Sequence, residues 1–186
     1  MEKIHVGFDL DGVLIDHTDL KIKLARALGY NLKPEQTPSD VILEFLPRNV
    51  YKEIQRGLFE DLDTSCQSPL MLGAHYVLDK LKTRAVPFTL ISRRRNSEIA
   101  KKVLAHHGLW DTYFTDTNAC FVSSIEDKNT IASDLGISHF IDDEMRVLRS
   151  LTAVPNKYLM DPLEINSLVG QYTSIHALAD FLDFLK

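Results

Sequence analysis

Two aspartates follow the first apolar run of the chain. Asp9 and Asp11 lie two residues apart in the segment Asp9-Leu10-Asp11-Gly12, so in extended geometry both side chains point to the same side. Neighbouring carboxylates repel each other unless a cation or a proton separates them. A magnesium ion supplies the first remedy, and a raised pKa on one aspartate supplies the second, which a general acid needs. The pair therefore indicates a hard cation or a general acid, and together with the polar residues described next it suits phosphoryl transfer.

Further polar residues follow later apolar runs. Ser92 ends the second run, and Asp142 and Asp143 end the fourth. Lys128 lies near the start of a predicted helix just ahead of the fourth run. Ser92 can donate a hydrogen bond to a phosphoryl oxygen, and Lys128 can offset the charge of the aspartates and of a pentacoordinate phosphorus. Asp142 or Asp143 would complete the shell of the cation.

A parallel sheet is needed to bring these residues together. Short apolar runs alternate with helical patterns, which is typical of an α/β fold with a parallel sheet. Ligands of such folds bind beyond the carboxyl ends of the strands. We therefore predict a three-layer, Rossmann-like α/β core. The predicted strands are Ile4–Leu10, Pro87–Ser92, Ala119–Ser123, His139–Asp142 and Lys157–Met160. The predicted helices between and after them are Gly73–Thr83, Ser97–His107, Lys128–Leu135 and Ser174–Lys186.

One stretch interrupts the alternation. Residues 17–68, here called the helical insertion, contain helical patterns and no convincing strand. The predicted helices are Asp19–Gly29, Ser39–Leu46 and Pro47–Asp61, with prolines marking two of the starts. Because the insertion falls between the first two strands, we interpret it as a small cap on a core made of residues 1–16 and 69–186.

The composition is that of an ordinary globular protein. The 186 residues are 45% hydrophobic and carry a net charge of −5, which argues against a nucleic-acid partner. Cys66 and Cys120 lie far apart without a metal-binding spacing, so we expect reduced, buried thiols and a cytoplasmic location. No run is long and apolar enough to cross a membrane, and the segment MEKIHVGFDLDG lacks the apolar core of a signal peptide.

The motifs, in this order, resemble those of the haloacid-dehalogenase-like hydrolase superfamily. Its first motif is similar to Asp9-Leu10-Asp11-Gly12, and its second, a Ser or Thr ending a strand, is matched by Ser92. Its third, a lysine near a helix start, is matched by Lys128, and its fourth, an acidic pair after a strand, by Asp142-Asp143. The first and fourth motifs are specific in combination, whereas the other two are weak alone.

The resemblance implies roles for these positions. Asp9 would be the nucleophile, and Asp11 would protonate the leaving alcohol and then activate water. Mg²⁺ would bind Asp9, the backbone carbonyl of Asp11 and Asp142. Asp143 would act through the waters of the metal or by holding Lys128. The backbone N–H groups of Leu10 and Arg93 would bind the phosphate. Since the dehalogenases of the family lack an acid at the position of Asp11, the resemblance favours phosphate chemistry over halide displacement.

Several residues depart from the pattern or leave alternatives open. Arg93, Arg94 and Arg95 follow Ser92, where they either form a solvated surface or bind an anionic part of the substrate. Glu144 follows the acidic pair, and its contact with the metal shell is left open. His17 lies close enough to the first motif to line the hinge of the insertion.

The sequence thus predicts a magnesium-dependent phosphatase acting on a small phosphorylated metabolite, as a monomer or homodimer without a nucleic-acid or membrane partner. A nucleotidase and a sugar-phosphate phosphatase are both open. The alternatives are a phosphomutase and a non-catalytic module that binds phosphate ligands or a partner. The substrate itself is not predicted, because it would be selected by the insertion.

Overall fold

A computed structural model describes residues 4–165 and 172–185. Six parallel strands form one sheet in the order β3-β2-β1-β4-β5-β6. They are β1 (Val6–Phe8), β2 (Phe88–Ser92), β3 (Ala119–Phe121), β4 (His139–Asp142), β5 (Asn156–Met160) and β6 (Thr173–Ile175). This confirms the predicted α/β core. The five predicted strands are present, four with shifted ends and His139–Asp142 with the predicted bounds.

Helices cover both faces of the sheet. The α-helices are α1 (Thr18–Ala27), α2 (Arg48–Glu60), α3 (Leu62–Ser65), α4 (Ala74–Thr83), α5 (Ser97–His106), α6 (Ile125–Asp134) and α7 (Met145–Ser150). Short 3₁₀ segments are Pro34–Gln36, Ile42–Glu44 and Leu178–Phe184. On one face, apolar residues of α4, α5 and the last 3₁₀ segment pack with Phe8 and Leu90. On the other face, α6 and α7 pack with Ile91 and Phe140. The central strand β1 is therefore buried on both faces, as expected for a parallel sheet.

The sheet has its topological switch point beside β1. The chain places β2 and β3 on one side of β1, then returns to place β4, β5 and β6 on the other. Phe8 pairs with Leu90 of β2 and with Ile141 of β4. A crevice opens at such a point beyond the carboxyl ends of the strands. Asp9 follows β1 directly there, and Asp142 is the last residue of β4.

The helical insertion has an apolar cluster of its own. Residues 18–65 hold α1, α2, α3 and two 3₁₀ segments, without a strand. Leu20, Ile42, Ile54 and Leu58 are buried among one another. This separate cluster is what a cap requires, while the role of the insertion as a cap stays a prediction.

Three predicted elements differ from the structure. The predicted helix Ser39–Leu46 is instead a single 3₁₀ turn at Ile42–Glu44. Pro47 limits its extension, because the residue before a proline is disfavoured in the helical region. The predicted helix Ser174–Lys186 is instead β6 followed by a 3₁₀ segment, and Lys186 lies outside the described residues. The helix predicted at Lys128–Leu135 begins three residues earlier, at Ile125.

The structure also bears on the expectations about the cysteines and about membrane-spanning segments. Cys66 and Cys120 are free thiols, but both are half-buried rather than fully buried. No helix in the described part of the chain is long and apolar enough to span a bilayer.

Candidate active site

Asp9 occupies the first position after β1, next to the end of β4. Its backbone N–H donates to the carbonyl of Ile141 (3.0 Å), which continues the ladder between the two strands. The Lys128 ammonium donates to Asp9 Oδ1 (2.9 Å) and to Asp142 Oδ2 (2.7 Å). Lys128 and Asp142 are fully buried. The lysine thus joins two acids that lie 133 positions apart in the sequence.

Asp9, Asp142 and Asp143 form an acidic cluster. One carboxylate oxygen of each lies within 4.8 Å of the others. Burial raises the pKa of Asp9 to about 7; Lys128 opposes this shift, and the charges of Asp142 and Asp11 add to it. Burial likewise raises the pKa of Asp142 and of Asp143. A divalent cation would relieve this repulsion, and three carboxylates are the hard oxygen ligands that Mg²⁺ prefers. The donor set therefore fits Mg²⁺.

Gly12 leaves room for this cluster. Its φ is +80°, in the left-handed region that favours glycine. A Cβ at this position would lie 2.4 Å from Cγ of Asp143. Any side chain here would therefore collide with the Asp143 carboxylate.

Asp11 is held away from the acidic cluster by two cationic or polar side chains. Arg94 donates from Nε to both carboxylate oxygens (3.1 and 3.0 Å) and from Nη2 to Oδ1 (2.6 Å). His17 Nε2 lies 2.7 Å from the same Oδ1. Burial raises the pKa of Asp11, but the Arg94 charge and the hydrogen bonds from His17 and Arg94 outweigh it and hold the pKa well below its usual range. Asp11 is therefore ionised in this arrangement.

His17 and Phe59 link Asp11 to the helical insertion. His17 is buried at the start of α1, and its Nδ1 lies 2.6 Å from Ser68 Oγ. The Phe59 ring of α2 packs edge-on against His17, with ring centroids 5.9 Å apart. The same ring lies 5.1 Å from the Arg94 guanidinium carbon. The position of α2 is thus coupled to both groups that hold Asp11.

The remaining predicted site residues occupy the edge of the sheet. Ser92 is fully buried, and its Oγ accepts a hydrogen bond from the backbone N–H of Arg94 (3.2 Å). Leu10 lies between Asp9 and Asp11 in the sequence, and its side chain is buried in the core. Arg93 borders the crevice and donates from Nη2 to Glu144 Oε2 (2.8 Å). Phosphate binding by these groups stays a prediction.

Glu144 lies next to the acidic cluster and contacts Asp142 and two arginines. Its carboxylate accepts from Arg146 Nε (2.6 Å) as well as from Arg93. Its backbone N–H donates to Asp142 Oδ1 (2.9 Å). Glu144 therefore orients Asp142 through its backbone, while its charged end is neutralised by two arginines.

A cleft of about 1300 Å³ lies between this edge and the helical insertion. Asp9, Asp11 and Asp143 line its floor, and Lys21, Lys52 and Phe59 line the side of the insertion. A cleft of this size has room for a nucleotide-sized ligand.

The structure brings most of the predicted site together. Asp9, Lys128, Asp142 and Asp143 lie in one cluster, while the Asp11 carboxylate faces Arg94 instead of the other acids. Lys128 is held by Asp9 and Asp142, and Asp143 is not among its hydrogen-bond partners in the described chain. Sequence reasoning did not assign Lys21, Phe59 or the contact between His17 and Asp11. The four-residue spacing of His17 and Lys21 on a helix that starts beside the first motif is the one signal that points to them.

Comparisons with known proteins agree with this architecture. A scan against protein-family models finds no match, and a search of curated proteins finds no significant match. Solved structures match over nearly the whole chain. A HAD family hydrolase from Deinococcus radiodurans, with bound phosphate and sodium, superposes with a TM-score of 0.68 at 17% identity, covering 100% of this chain and 96% of that one.

Two other solved structures give the same result. A predicted phosphatase from Clostridium acetobutylicum has a TM-score of 0.68 at 16% identity, covering 98% of each chain. A HAD-superfamily hydrolase from Geobacter sulfurreducens has a TM-score of 0.63 at 18% identity, covering 97% of this chain and 98% of that one. This chain therefore has the fold of the haloacid-dehalogenase-like hydrolases.

Proposed function

We propose that this protein is a magnesium-dependent phosphohydrolase that cleaves small phosphomonoesters through an aspartyl-phosphate on Asp9. The observation that carries the proposal is the cluster of Asp9, Lys128, Asp142 and Asp143 at the floor of the cleft, with Asp11 beside it. The bound phosphate in the Deinococcus radiodurans hydrolase of the same fold supports it. Phosphate monoesters are very slow to hydrolyse uncatalysed, so a nucleophile, an acid and a cation are all needed.

The acidic cluster would hold the metal. Asp9, Asp142 and Asp143 are the residues that would bind Mg²⁺, which would supply charge neutralisation for the phosphoryl oxygens. Lys128 positions Asp9 through one hydrogen bond and Asp142 through another. Because Lys128 is buried between two carboxylates, which raise its pKa against the effect of burial, it stays charged and offsets negative charge on phosphorus.

The chemistry would proceed in two steps. In the first, an oxygen of Asp9 attacks phosphorus, the bond from phosphorus to the leaving oxygen breaks, and Asp11 gives that oxygen a proton. In the second, Asp11 takes a proton from water, the water oxygen attacks phosphorus, and phosphate leaves with Asp9 restored.

The acid role of Asp11 requires a rearrangement. An aspartate bound by Arg94 and His17 is ionised and has no proton to give. The proposal therefore requires that Arg94 loosens its contact with Asp11 when substrate occupies the cleft. Since Arg94 also contacts Phe59 of α2, a movement of the insertion would accompany this change.

A screen over nucleotides, sugar phosphates, small acid phosphates and p-nitrophenyl phosphate tests the proposal. Phosphate release and isomer formation are both measured, with Mg²⁺ and with a chelator. We expect Mg²⁺-dependent phosphate release that falls by at least about 10³-fold in Asp9→Asn. Asp19→Asn, an exposed acid on α1, is the matched control and retains activity. A folded protein that is inert on every ester, or an Asp9→Asn variant with wild-type turnover, would overturn the proposal.

A further inference from the structure

The cleft is much larger than a phosphoryl group requires. Its volume of about 1300 Å³ extends from Asp9 to side chains of α1 and α2. A substrate of the phosphohydrolase proposed above therefore has room to present more than its phosphate to the insertion. The charges of the described residues on the insertion side of the cleft indicate which further group the substrate carries.

Lys21 is a buried cation facing this cleft. It lies one turn after His17 on the same face of α1, and its backbone N–H donates to the His17 carbonyl (2.8 Å). Only 8% of the residue is exposed, and its Nζ donates to the carbonyl oxygen of Thr37 (2.9 Å). Burial lowers the pKa of Lys21, while the charges of Asp143 and Asp11 raise it.

Asp9, Asp11, Asp142 and Glu144 have nearer cations than Lys21, whereas Asp143 forms no ion pair with a described residue and its charge acts on Lys21. The ion pairs are Asp9 and Asp142 with Lys128, Asp11 with Arg94, and Glu144 with Arg93 and Arg146. Among the described residues, Lys21 forms no ion pair, and its hydrogen-bond partner is a neutral carbonyl. A buried ammonium in such a place costs folding free energy. An anionic ligand would recover that cost on binding.

The α2 helix continues the positive side of the cleft. Arg48, Lys52 and Phe59 line it from one face of the helix, at spacings of four and seven residues. Phe59 contacts the groups that hold Asp11, so this end of α2 lies next to the reaction edge. At a rise of 1.5 Å per residue, Lys52 and Arg48 lie roughly 10 and 16 Å further along the helix axis. Neither forms an ion pair in the part of the chain that the structure describes.

We propose that the substrate carries a second anionic group, a carboxylate or a second phosphate, and that Lys21 binds it, with Lys52 and Arg48 extending the positive surface for longer substrates. This assigns Lys21 as a specificity-determining residue. It rests on the proposed phosphohydrolase function, since it concerns the same cleft.

Matched substrate pairs test the inference. Glycerol 3-phosphate and 3-phosphoglycerate differ in an alcohol against a carboxylate, and fructose 6-phosphate and fructose 1,6-bisphosphate differ by a second phosphate. We expect the doubly anionic member of at least one pair to be preferred, by about 10-fold or more in kcat/KM. The pair that shows the preference identifies which anion Lys21 takes. Hydrolysis of p-nitrophenyl phosphate reports separately on the proposed function.

Variants of α1 assign the preference to Lys21. Lys21→Met should reduce the selectivity ratio of the preferred pair by about 10-fold, mainly through KM, and Lys21→Arg should keep part of it. Lys23→Met removes the same charge from an exposed site on the same helix and should keep the full ratio. Thermal unfolding checks that the Lys21 variants are folded, which we expect because an apolar residue of similar volume commonly replaces a buried charge without loss.

The outcomes separate the two proposals. Hydrolysis of p-nitrophenyl phosphate without a preference in either pair, or a ratio unchanged in Lys21→Met, would overturn the role of Lys21 and leave the phosphohydrolase intact. Inertness towards every ester would overturn the proposed function and the inference with it. A preference that is lost in Lys21→Met but kept in Lys23→Met supports the inference.

Discussion

At the scale of single residues, the site is organised by opposite charges in a buried place. Lys128 is shared between Asp9 and Asp142, and the Arg94 guanidinium covers the Asp11 carboxylate. Buried charges are tolerated only when paired. The carboxylates and the cations therefore hold one another in position. Removing one partner of a pair leaves the other as an uncompensated buried charge.

Lys128→Met tests this at the residue scale. It leaves Asp9 and Asp142 as unpaired buried acids, so we expect a loss of about 3–5 kcal/mol in the free energy of unfolding at pH 8 without metal. Denaturant unfolding measures it, with Lys102→Met, an exposed lysine, as the control. Adding Asp142→Asn to Lys128→Met should restore part of the loss. Equal stability of Lys128→Met and wild type would show that the pairs contribute nothing.

Residue types and their order were enough to predict part of this site. Asp9 and the Asp142-Asp143 pair follow from acids at strand ends, because parallel strands bring their carboxyl ends to one edge. Lys128 follows from its place near a helix start just ahead of the fourth strand. The contact of His17 with Asp11 and the place of Lys21 in the cleft were not predicted, since they depend on how the insertion folds back over the sheet. The engagement of Arg94 with Asp11 instead of a ligand depends on the same packing.

At the scale of elements, α6 places Lys128. The helix begins with a capping box in which Ser124 Oγ accepts from the Asp127 N–H (3.0 Å), and Asp127 Oδ2 accepts from the Ser124 N–H (3.1 Å). Lys128 is the fourth residue of the helix, where the helix dipole disfavours a cation. The two buried carboxylates offset that cost, so the start of α6 must be fixed for Lys128 to reach them.

Ser124→Ala tests the role of this cap. It should lower the free energy of unfolding by about 1 kcal/mol and reduce kcat several-fold, because Lys128 would lose its fixed position. Ser133→Ala, an exposed serine near the other end of α6, is the control for both readouts. A stability loss without any change in kcat would show that the cap does not position Lys128.

The element boundaries show where local patterns are sufficient. The spacing Ser124 to Asp127 is a sequence signal for a helix start. The predicted helix Lys128–Leu135 does not use this signal and therefore starts three residues late. The β6 strand has only the three residues Thr173–Ile175 and exists through its pairing with β5. No local pattern could distinguish it from the start of a terminal helix, since strands this short are stabilised by their tertiary partners.

At the scale of the whole molecule, the fold concentrates negative charge where the sheet and the insertion meet. The insertion contacts the core on two sides of the cleft: Phe59 packs on Arg94, and Asp40 Oδ2 accepts from the Met145 N–H (3.0 Å) at the start of α7. Burial beneath the insertion raises the pKa of Asp9, Asp142 and Asp143 together. The global stability should therefore depend on pH and on a divalent cation.

The pH dependence of stability tests this coupling. The pKa of Asp9 is about 7 in the folded chain against 3.8 for the ordinary group, so between these values the native state keeps a proton that the unfolded state has lost. Asp9 therefore costs stability progressively as pH rises from about 4 to 7, by at most about 4 kcal/mol. The pKa of Asp11 is lowered, so its contribution is lost only as pH falls below this window.

We expect Asp9→Asn to gain stability relative to wild type across pH 4 to 7 when metal is chelated, as measured by denaturant unfolding. The control is Asp134→Asn, which changes an exposed residue. Its free energy of unfolding should change with pH in the same way as that of wild type. Saturating Mg²⁺ should remove most of the trend, because the cation would hold the carboxylates ionised. A constant difference between Asp9→Asn and wild type at every pH would contradict the coupling.

Detection of a phosphoryl group on Asp9 is the most direct test of the proposed chemistry. In Asp11→Asn the water-activating base is absent, while p-nitrophenolate leaves without needing an acid, so the phosphorylated enzyme should accumulate with p-nitrophenyl phosphate and Mg²⁺. Acid quench, digestion and mass spectrometry should locate one phosphoryl group on the peptide that contains Asp9. A phosphoryl group on another residue, or none in Asp11→Asn while the wild type turns over, would contradict Asp9 as the nucleophile.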